Sequence, residues 1–512
     1  MSKDNTGLQP DSREAAGRSL DRTLIRGIAW TGGARLLTQV LSWAATIVVA
    51  RLLTPRDYGL MGMATVYMGV VQLANEFGLG AAIVQMRDLD EQKRASIGGL
   101  AVALGFVFFI VSAVLATPIA GFFGEPAVRD IILVLGATFI VAGIRVLPYA
   151  QLSRDLEFAR LARIEAFSTI LQTVATLAMA SLGFRYWSLV LGTILGLVTS
   201  TVLSLVAHPH RLAWPRSVKP ILEPLTLGWQ LTVARLGWYT YSNADFVVVG
   251  RVLSTTALGA YTFGWQLASI PVDKVSAVLG QVLSPIFSSV KHDMPALARY
   301  VRVLTEGLAI VTFPLAFGLA LVADDLVLFA LGAEWEAAIV PLRLLALYTG
   351  FRSLVTMFPQ VLVSIGRARV AMWVNIVLVL VMPASFYLGA QWGVAGVALA
   401  WIIAYPLVVV PTLVLPTIGV IGLPLRDYMR ALQPAVSGTL IMSATVLLLR
   451  SAIPARWPGV ASLAAQVGAG GVAYAATLWL LHADRIRALA AYLKSSRRSA
   501  PPVPEPSLPA TV

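Results

Sequence analysis

Fourteen apolar stretches, each long enough to cross a bilayer, run the length of this chain with only short polar links between them. They lie near 27–51, 58–84, 97–122, 127–148, 165–183, 187–207, 225–250, 257–284, 302–322, 338–363, 370–388, 393–416, 432–450 and 459–481. A helix of about 20 apolar residues spans the hydrocarbon core, where each backbone group must find its partner within the segment. The pattern predicts an all-α polytopic membrane protein of about fourteen transmembrane helices. Composition agrees: apolar residues are 57% of the 512 and charged residues 13%, where a soluble domain carries about 25% charged residues. A soluble globular enzyme is excluded. The net charge of +13 is spread too thinly for a nucleic-acid-binding chain. With no cysteine, there is no disulfide, thiolate metal site or thiol nucleophile.

Basic residues set the expected orientation. With the N-terminus in the cytoplasm, 26 Lys and Arg fall in cytoplasmic segments and 7 outside, alternating along the whole chain. Cytoplasmic loops carry the excess of Lys and Arg, so both termini are expected inside. Residues 1–25 lack the apolar core of a signal peptide, which makes the first span an expected uncleaved anchor. The Pro-rich end of the chain reads as a disordered tail.

The chain also repeats itself. Residues 34–59 lie on 234–259 without a gap, with ten of twenty-six positions identical, among them Arg35/Arg235, Arg51/Arg251 and Gly59/Gly259. G-I-R-V-L at 143–147 matches G-F-R-S-L at 350–354. Both matches shift by six spans. An even shift keeps orientation, so the halves are parallel repeats, an arrangement of secondary transporters with the substrate site between the halves. The expected division is a cytoplasmic tail 1–25, a six-helix bundle 26–207, a cytoplasmic loop 208–224, a second bundle 225–417, two further helices in 418–482 and a basic, then Pro-rich, tail 483–512.

Charges inside the spans point to what is carried. An ionisable group at mid-helix costs about 2.5–3.5 kcal/mol on the insertion scale. It persists where it meets a cavity, a partner or a ligand. Arg35, Arg145, Arg235 and Arg352 all fall on repeated helices. They suggest a cationic cavity for an anionic group such as a phosphate, which the planar guanidinium fork suits. Pairing of Arg35 with Glu76 and snorkelling of Arg145 are the competing readings. Asp245, on the seventh span, is a candidate for a coupling cation, H+ or Na+; Glu76 and Asp273 are further acids in or near spans. Asp273 and Lys274 are neighbours in sequence and point different ways, so they do not form one pair. Trp238 and Tyr241 belong to an aromatic group on the seventh and eighth spans that either stacks on sugar faces or packs the bundle.

No G-x-x-x-x-G-K-[ST] run is present, which argues against ATP-driven transport by this chain alone. The four histidines fall in or beside the expected cytoplasmic loops, so no intramembrane metal cluster and no metal site is expected. D-L-D at 88–90 reads as a solvated turn.

The run ARLLTPRDYGLMGMATVYMGVVQLANEFGLGAAIVQ at 50–85, with its L-x-P-x-D-Y-G turn, resembles the opening of bacterial oligosaccharide and polysaccharide flippases (O-antigen, Wzx-type). These belong to the multidrug/oligosaccharidyl-lipid/polysaccharide exporter superfamily. NADFVVVGRVLSTTALGAYTFGWQLASIP at 243–271 is the same element in the second half. The resemblance covers roughly 24–430. It implies flipping of undecaprenyl-pyrophosphate-linked oligosaccharide repeat units across the cytoplasmic (inner) membrane for exopolysaccharide, capsule or O-antigen synthesis, by two six-helix bundles rocking about a central cavity. It implies a transporter rather than an enzyme, with no cofactor, working beside a polysaccharide polymerase and glycosyltransferases of the same pathway. Related lipid II flippases use cavity arginines on early helices and a cation site in the second half; Arg35 and Asp245 match those roles by location. No Asp or Glu lies on the eleventh or twelfth span to complete a sodium site, so H+, Na+ and the membrane potential all stay open.

The expected substrate contacts are therefore Arg35, Arg145, Arg235, Arg352, Trp238 and Tyr241, and the expected ion-coupling acids are Asp245, Glu76 and Asp273. Two alternatives are kept. A drug or cation antiporter of the same superfamily would face repulsion from the arginines. A membrane-embedded polymerase would need a large external loop, and every outside link here is short.

Overall fold

The computed structural model describes residues 42–75, 91–155, 157–210, 235–453, 457 and 459–487. Among these residues every regular element is helical. Nine helical stretches among them are long and apolar enough to cross a membrane, and the longest, Ala368–Val420 at 53 residues, has room for two passes. The protein is an all-α, multi-pass membrane protein.

The chain forms two compact units, 1–259 and 260–512. In the first, α1 spans Ser42–Leu52, α2 Pro55–Asn75, α3 Glu91–Phe123, α4 Ala127–Gly136, α5 Thr138–Arg154, α6 Phe158–Ser181 and α7 Tyr186–Ala207. A further helix, α8, covers 235–248 and ends in a π-helical turn, Val249–Leu253. From residue 211 onward the expected linker 208–224 lies outside the described residues. Helix α3 packs on α4 and α5, and α6 on α7.

Small residues set these contacts. Lipid is as apolar as leucine, so helices associate in membranes through close backbone approach and interhelical hydrogen bonds. A Cβ on Gly143 of α5 would lie 2.5 Å from the Ala101 carbonyl oxygen of α3. Around that point Leu147 and Ala150 of α5 are buried with Ile97 and Ala101. Residues 143, 147 and 150 share one helical stripe. Residue 145 stands about 200° round from 143 at 3.6 residues per turn, and so faces away from α3.

In the second unit α9 spans Thr255–Ser289, its first turn belonging to the first unit, and α10 Met294–Leu321. Then come α11 (Ala323–Ala330), α12 (Ile339–Val355), α13 (Phe358–Ser364), α14 (Ala368–Gly389), α15 (Gly393–Val409), α16 (Leu415–Val420), α17 (Leu425–Ala452) and α18 (Gly459–Leu481). Helix α10 packs on α12 and α17, α14 on α15, and α17 on α18.

The last two long helices, outside the expected symmetry, are bound to this unit by polar contacts. Asp324 accepts from Arg343 Nη2 at 2.6 Å and from Arg450 Nη2 of α17 at 2.8 Å. Its neighbour Asp325 accepts from Gln466 Nε2 of α18 at 2.6 Å, and Tyr474 of α18 donates to the Ile310 carbonyl at 2.6 Å. Arg343 and Arg450 thus share one carboxylate. Hydrogen bonds with a charged partner are the stronger kind, about 1.5–3 kcal/mol each.

Candidate functional site

The first unit contains a cleft of about 630 Å³ among α2, α5, α6, α7 and α8. Its walls are unusual for a membrane bundle. Alongside Met61, Met68, Leu135 and Phe139 stand Thr65, Gln72, Thr138, Ser168, Thr169, Gln172, Thr193 and Ser200, one arginine, Arg145, and one acid, Glu165. Hydroxyls and amides supply both donors and acceptors. The lining is amphipathic, with apolar walls and polar groups that can meet hydroxyls of a ligand.

Arg145 enters the cleft because α5 turns its glycine stripe to α3. Its Nη1 donates to Ser200 Oγ of α7 at 3.1 Å. Its guanidinium carbon lies 5.2 Å from the ring centre of Tyr149, one turn further along α5. Tyr149 in turn donates through its hydroxyl to Glu165 Oε1 of α6 at 2.7 Å. A cation over an aromatic face gains about 0.5–2 kcal/mol, more when desolvated. The ring is therefore a holding position: it orients the guanidinium without filling its hydrogen-bonding fork. Pro148, also on α5, has no N–H to give the carbonyl of Ile144, which loosens the helix beside Arg145. Snorkelling does not describe this residue, which bonds across the bundle to α7.

The buried Ser168 hydroxyl, part of the lining, has no hydrogen-bond partner among the described residues. An unsatisfied buried hydroxyl costs about 1–3 kcal/mol. A ligand hydroxyl seated in the cleft would recover that.

Tyr239 of α8 closes the cleft against α2. Its hydroxyl donates to the Val66 carbonyl at 3.1 Å. A Cβ on Gly69 would lie 1.9 Å from that hydroxyl, so only glycine leaves room for the ring. Of the aromatic group on the seventh span, Tyr239 lines the cleft, whereas Trp238 is exposed, Tyr241 is buried, and neither lines it.

The other expected site residues are placed as follows. Arg35 and Glu76 lie outside the described residues. Arg235 is exposed at the start of the described part of α8. Asp245 is fully buried on α8 and accepts from the Phe246 amide at 2.9 Å. In the second unit Arg352 of α12 and Asp273 of α9, expected in two different roles, form an ion pair with each other. The Arg352 guanidinium also lies 5.6 Å from the Trp265 ring centre and 6.0 Å from that of Tyr348. The Tyr348 ring centre lies 4.6 Å from that of Trp401, and Trp401's lies 5.8 Å from that of Tyr405, both pairs tilted. Glu165 and Tyr149 were not singled out in sequence. Glu165 starts a span, where an acid reads as interfacial, and the signal that finds it is its position across the bundle from Arg145 and Tyr149.

Residues 48–340 match a protein family described as polysaccharide biosynthesis protein. The chain is 27% identical over 393 residues to the teichuronic acid biosynthesis protein TuaB of Bacillus subtilis, covering 75% of this chain and 80% of that one. It is 24% identical over 426 residues to the lipopolysaccharide biosynthesis protein WzxC of Escherichia coli, covering 81% and 85%. Among solved structures it superposes on the lipid II flippase MurJ in an inward closed conformation with a TM-score of 0.70 at 15% identity, covering 90% of this chain and all of that one. An inward-facing multidrug transporter of the MATE family gives a TM-score of 0.56 at 14% identity, covering 77% and 94%. These likenesses establish a shared fold, and with the family match over more than half of its length the chain belongs to the polysaccharide biosynthesis protein family.

Proposed function

We propose that the protein is a flippase that moves a lipid-linked oligosaccharide across the bacterial cytoplasmic membrane for surface polysaccharide synthesis, with both chain termini in the cytoplasm. The observation that carries this reading is the cleft of the first unit: a space lined in part by hydroxyls and amides and holding one ring-seated arginine, inside helices otherwise apolar. A saccharide head group has hydroxyls for Gln172, Thr169, Thr193 and the orphan Ser168. Its phosphate has oxygen pairs for the fork of Arg145, which exchanges a ring contact for charge-assisted hydrogen bonds. Glu165, tied to the same ring through Tyr149, balances the cation when the cleft is empty. The relatives named for teichuronic acid and lipopolysaccharide biosynthesis support the substrate class.

Arg352, with Asp273 and the surrounding rings, forms a second cationic position in the other unit, suited to a further phosphate or sugar contact once the pair opens. Asp245 remains the proposed ion-coupling acid. Deleting the gene and extracting lipids tests the reading. Lipid-linked repeat units should accumulate on the cytoplasmic face and disappear on complementation. Single units accumulating on the outer face would point instead to a polymerase.

A further inference from the structure

A second opening in the first unit lies away from the cleft, where α6 begins and α7 ends. It is a groove of about 690 Å³. Glu157, Arg160 and Arg163, at the start of α6, stand at one end, level with Val206 and Ala207 at the end of α7; Ile164, Leu203 and Phe167 carry the groove inward. Its floor is packed solid, with Leu161 and Ile164 buried against Leu203 and Ala207. Its apolar wall is open to the surroundings: Phe167 is 55% exposed and Val206 72%. From Arg160 to Phe167 the helix rises roughly 10 Å at 1.5 Å per residue. The groove thus runs from charged residues at the start of α6 into the apolar body of the bundle.

The charges at the polar end are few and can be counted. Arg160 donates through Nη1 to Glu157 Oε2 at 3.0 Å, and both side chains are about half exposed. Arg163 donates through Nε to the Ala159 carbonyl at 3.4 Å. Within the lining, two guanidinium groups and one carboxylate leave a single positive charge; Asp155, just outside it, is paired with His208 at 3.5 Å. A single positive charge matches one phosphodiester rather than a pyrophosphate. A free phosphate would leave the apolar wall uncovered, and an uncharged apolar chain would leave the cation without a partner.

We propose that this groove binds one anionic glycerophospholipid of the surrounding leaflet, its phosphate at Arg160 and Arg163 and an acyl chain along Leu203 and Phe167. The site is separate from the transport cleft and does not depend on what the protein carries. The lipid would hold the α6–α7 pair at the membrane surface and so favour an anionic leaflet for the folded protein.

The test uses the full chain, purified in a neutral detergent. Phosphatidylglycerol, phosphatidylcholine and undecaprenyl pyrophosphate are titrated separately, with retention read by native mass spectrometry and stability by thermal shift. Wild-type protein is expected to retain phosphatidylglycerol about tenfold more tightly than phosphatidylcholine, the scale of one charge-assisted contact. The preference should vanish in Arg160→Ala/Arg163→Ala. Phe167→Ala removes the apolar wall two turns from Arg160 without touching a charge and should weaken phosphatidylglycerol comparably, which keeps the test decisive if the double variant fails to fold. Equal retention of the two phospholipids by wild type would overturn the proposal, as would unchanged phosphatidylglycerol binding in the variant that folds. So would undecaprenyl pyrophosphate binding more tightly than phosphatidylglycerol and being lost in the same variants.

Discussion

Gly59 and Gly259 meet the chain in mirror fashion: a Cβ on Gly59 would lie 1.9 Å from the Thr255 carbonyl oxygen, and one on Gly259 would lie 1.6 Å from that of Pro55. The two glycines are the same position of the two repeats, and so are Pro55 and Thr255. Each glycine therefore stands against the carbonyl four residues before the other, a reciprocal contact inside the first unit. Glu125 adds to this corner, accepting from Arg56 at 3.1 Å and from the Thr255 hydroxyl at 2.5 Å.

The reciprocity predicts matched costs. Gly59→Ala and Gly259→Ala should each destabilise the protein by about 1–3 kcal/mol, the range for overpacking. Gly237→Ala, where a Cβ meets nothing within 4 Å, should be neutral or slightly stabilising. Thermal unfolding in detergent checks all three. A large loss at one glycine with none at its counterpart would break that reciprocity.

Tyr239 and Gly69 predict a steric effect on transport. Gly69→Ala should drive the Tyr239 ring from α2 and lower export more than Tyr239→Phe, which removes only the hydrogen bond to Val66, worth about 0.5–1.5 kcal/mol. Surface polysaccharide measured at equal protein level distinguishes the two. Export lowered more by Tyr239→Phe than by Gly69→Ala would place the importance in the hydroxyl rather than in the seat.

The all-helical, multi-pass character was legible in the sequence, because hydropathy reports directly on the bilayer. The repeat was legible too, yet its reason was not: the identity of Gly59 and Gly259 says nothing of the carbonyl each one meets. Arg145 was recognisable as a cation within a span, while its contacts with Tyr149 and Ser200 depend on which face of α5 turns to α3. Arg352 and Asp273 lie 79 residues apart in sequence, a pairing no local pattern reveals. The same holds for Asp324, which gathers arginines from α12 and α17.

That pairing makes its own prediction. Because Asp273 is about half exposed, the Arg352–Asp273 coupling in a double-mutant cycle with Arg352→Gln and Asp273→Asn should be no more than about 1 kcal/mol. Arg352→Lys should keep part of that coupling and lose the stacking on Trp265 and Tyr348. A coupling of several kcal/mol would show a buried structural pair unsuited to opening for a ligand.

Acid should loosen the C-terminal helices. His482, just past α18, shares a 2.9 Å hydrogen bond with Ser437 of α17. Burial, and then the nearby Arg485, lower its pKa from the usual 6.5. A depressed folded-state value means that the unfolded chain takes up the proton first, so this contribution is complete above pH 6.5 and is lost as pH falls below it. Unfolding followed between pH 7.5 and 5, about a unit either side of the ordinary value, should show a decline that His482→Gln makes shallower. An identical decline in the variant would assign the acid sensitivity elsewhere.

The central claim is that the cleft of the first unit holds the charged head group through Arg145. Purified protein in liposomes, loaded with a lipid-linked oligosaccharide and assayed for its appearance on the far leaflet, tests this most directly. Arg145→Gln should cut the flipping rate about 10–100-fold, the equivalent of one lost charge-assisted contact, and Arg145→Lys should recover only part of it. A flipping rate for Arg145→Gln equal to that of the wild type, in protein shown to be folded, would contradict the account.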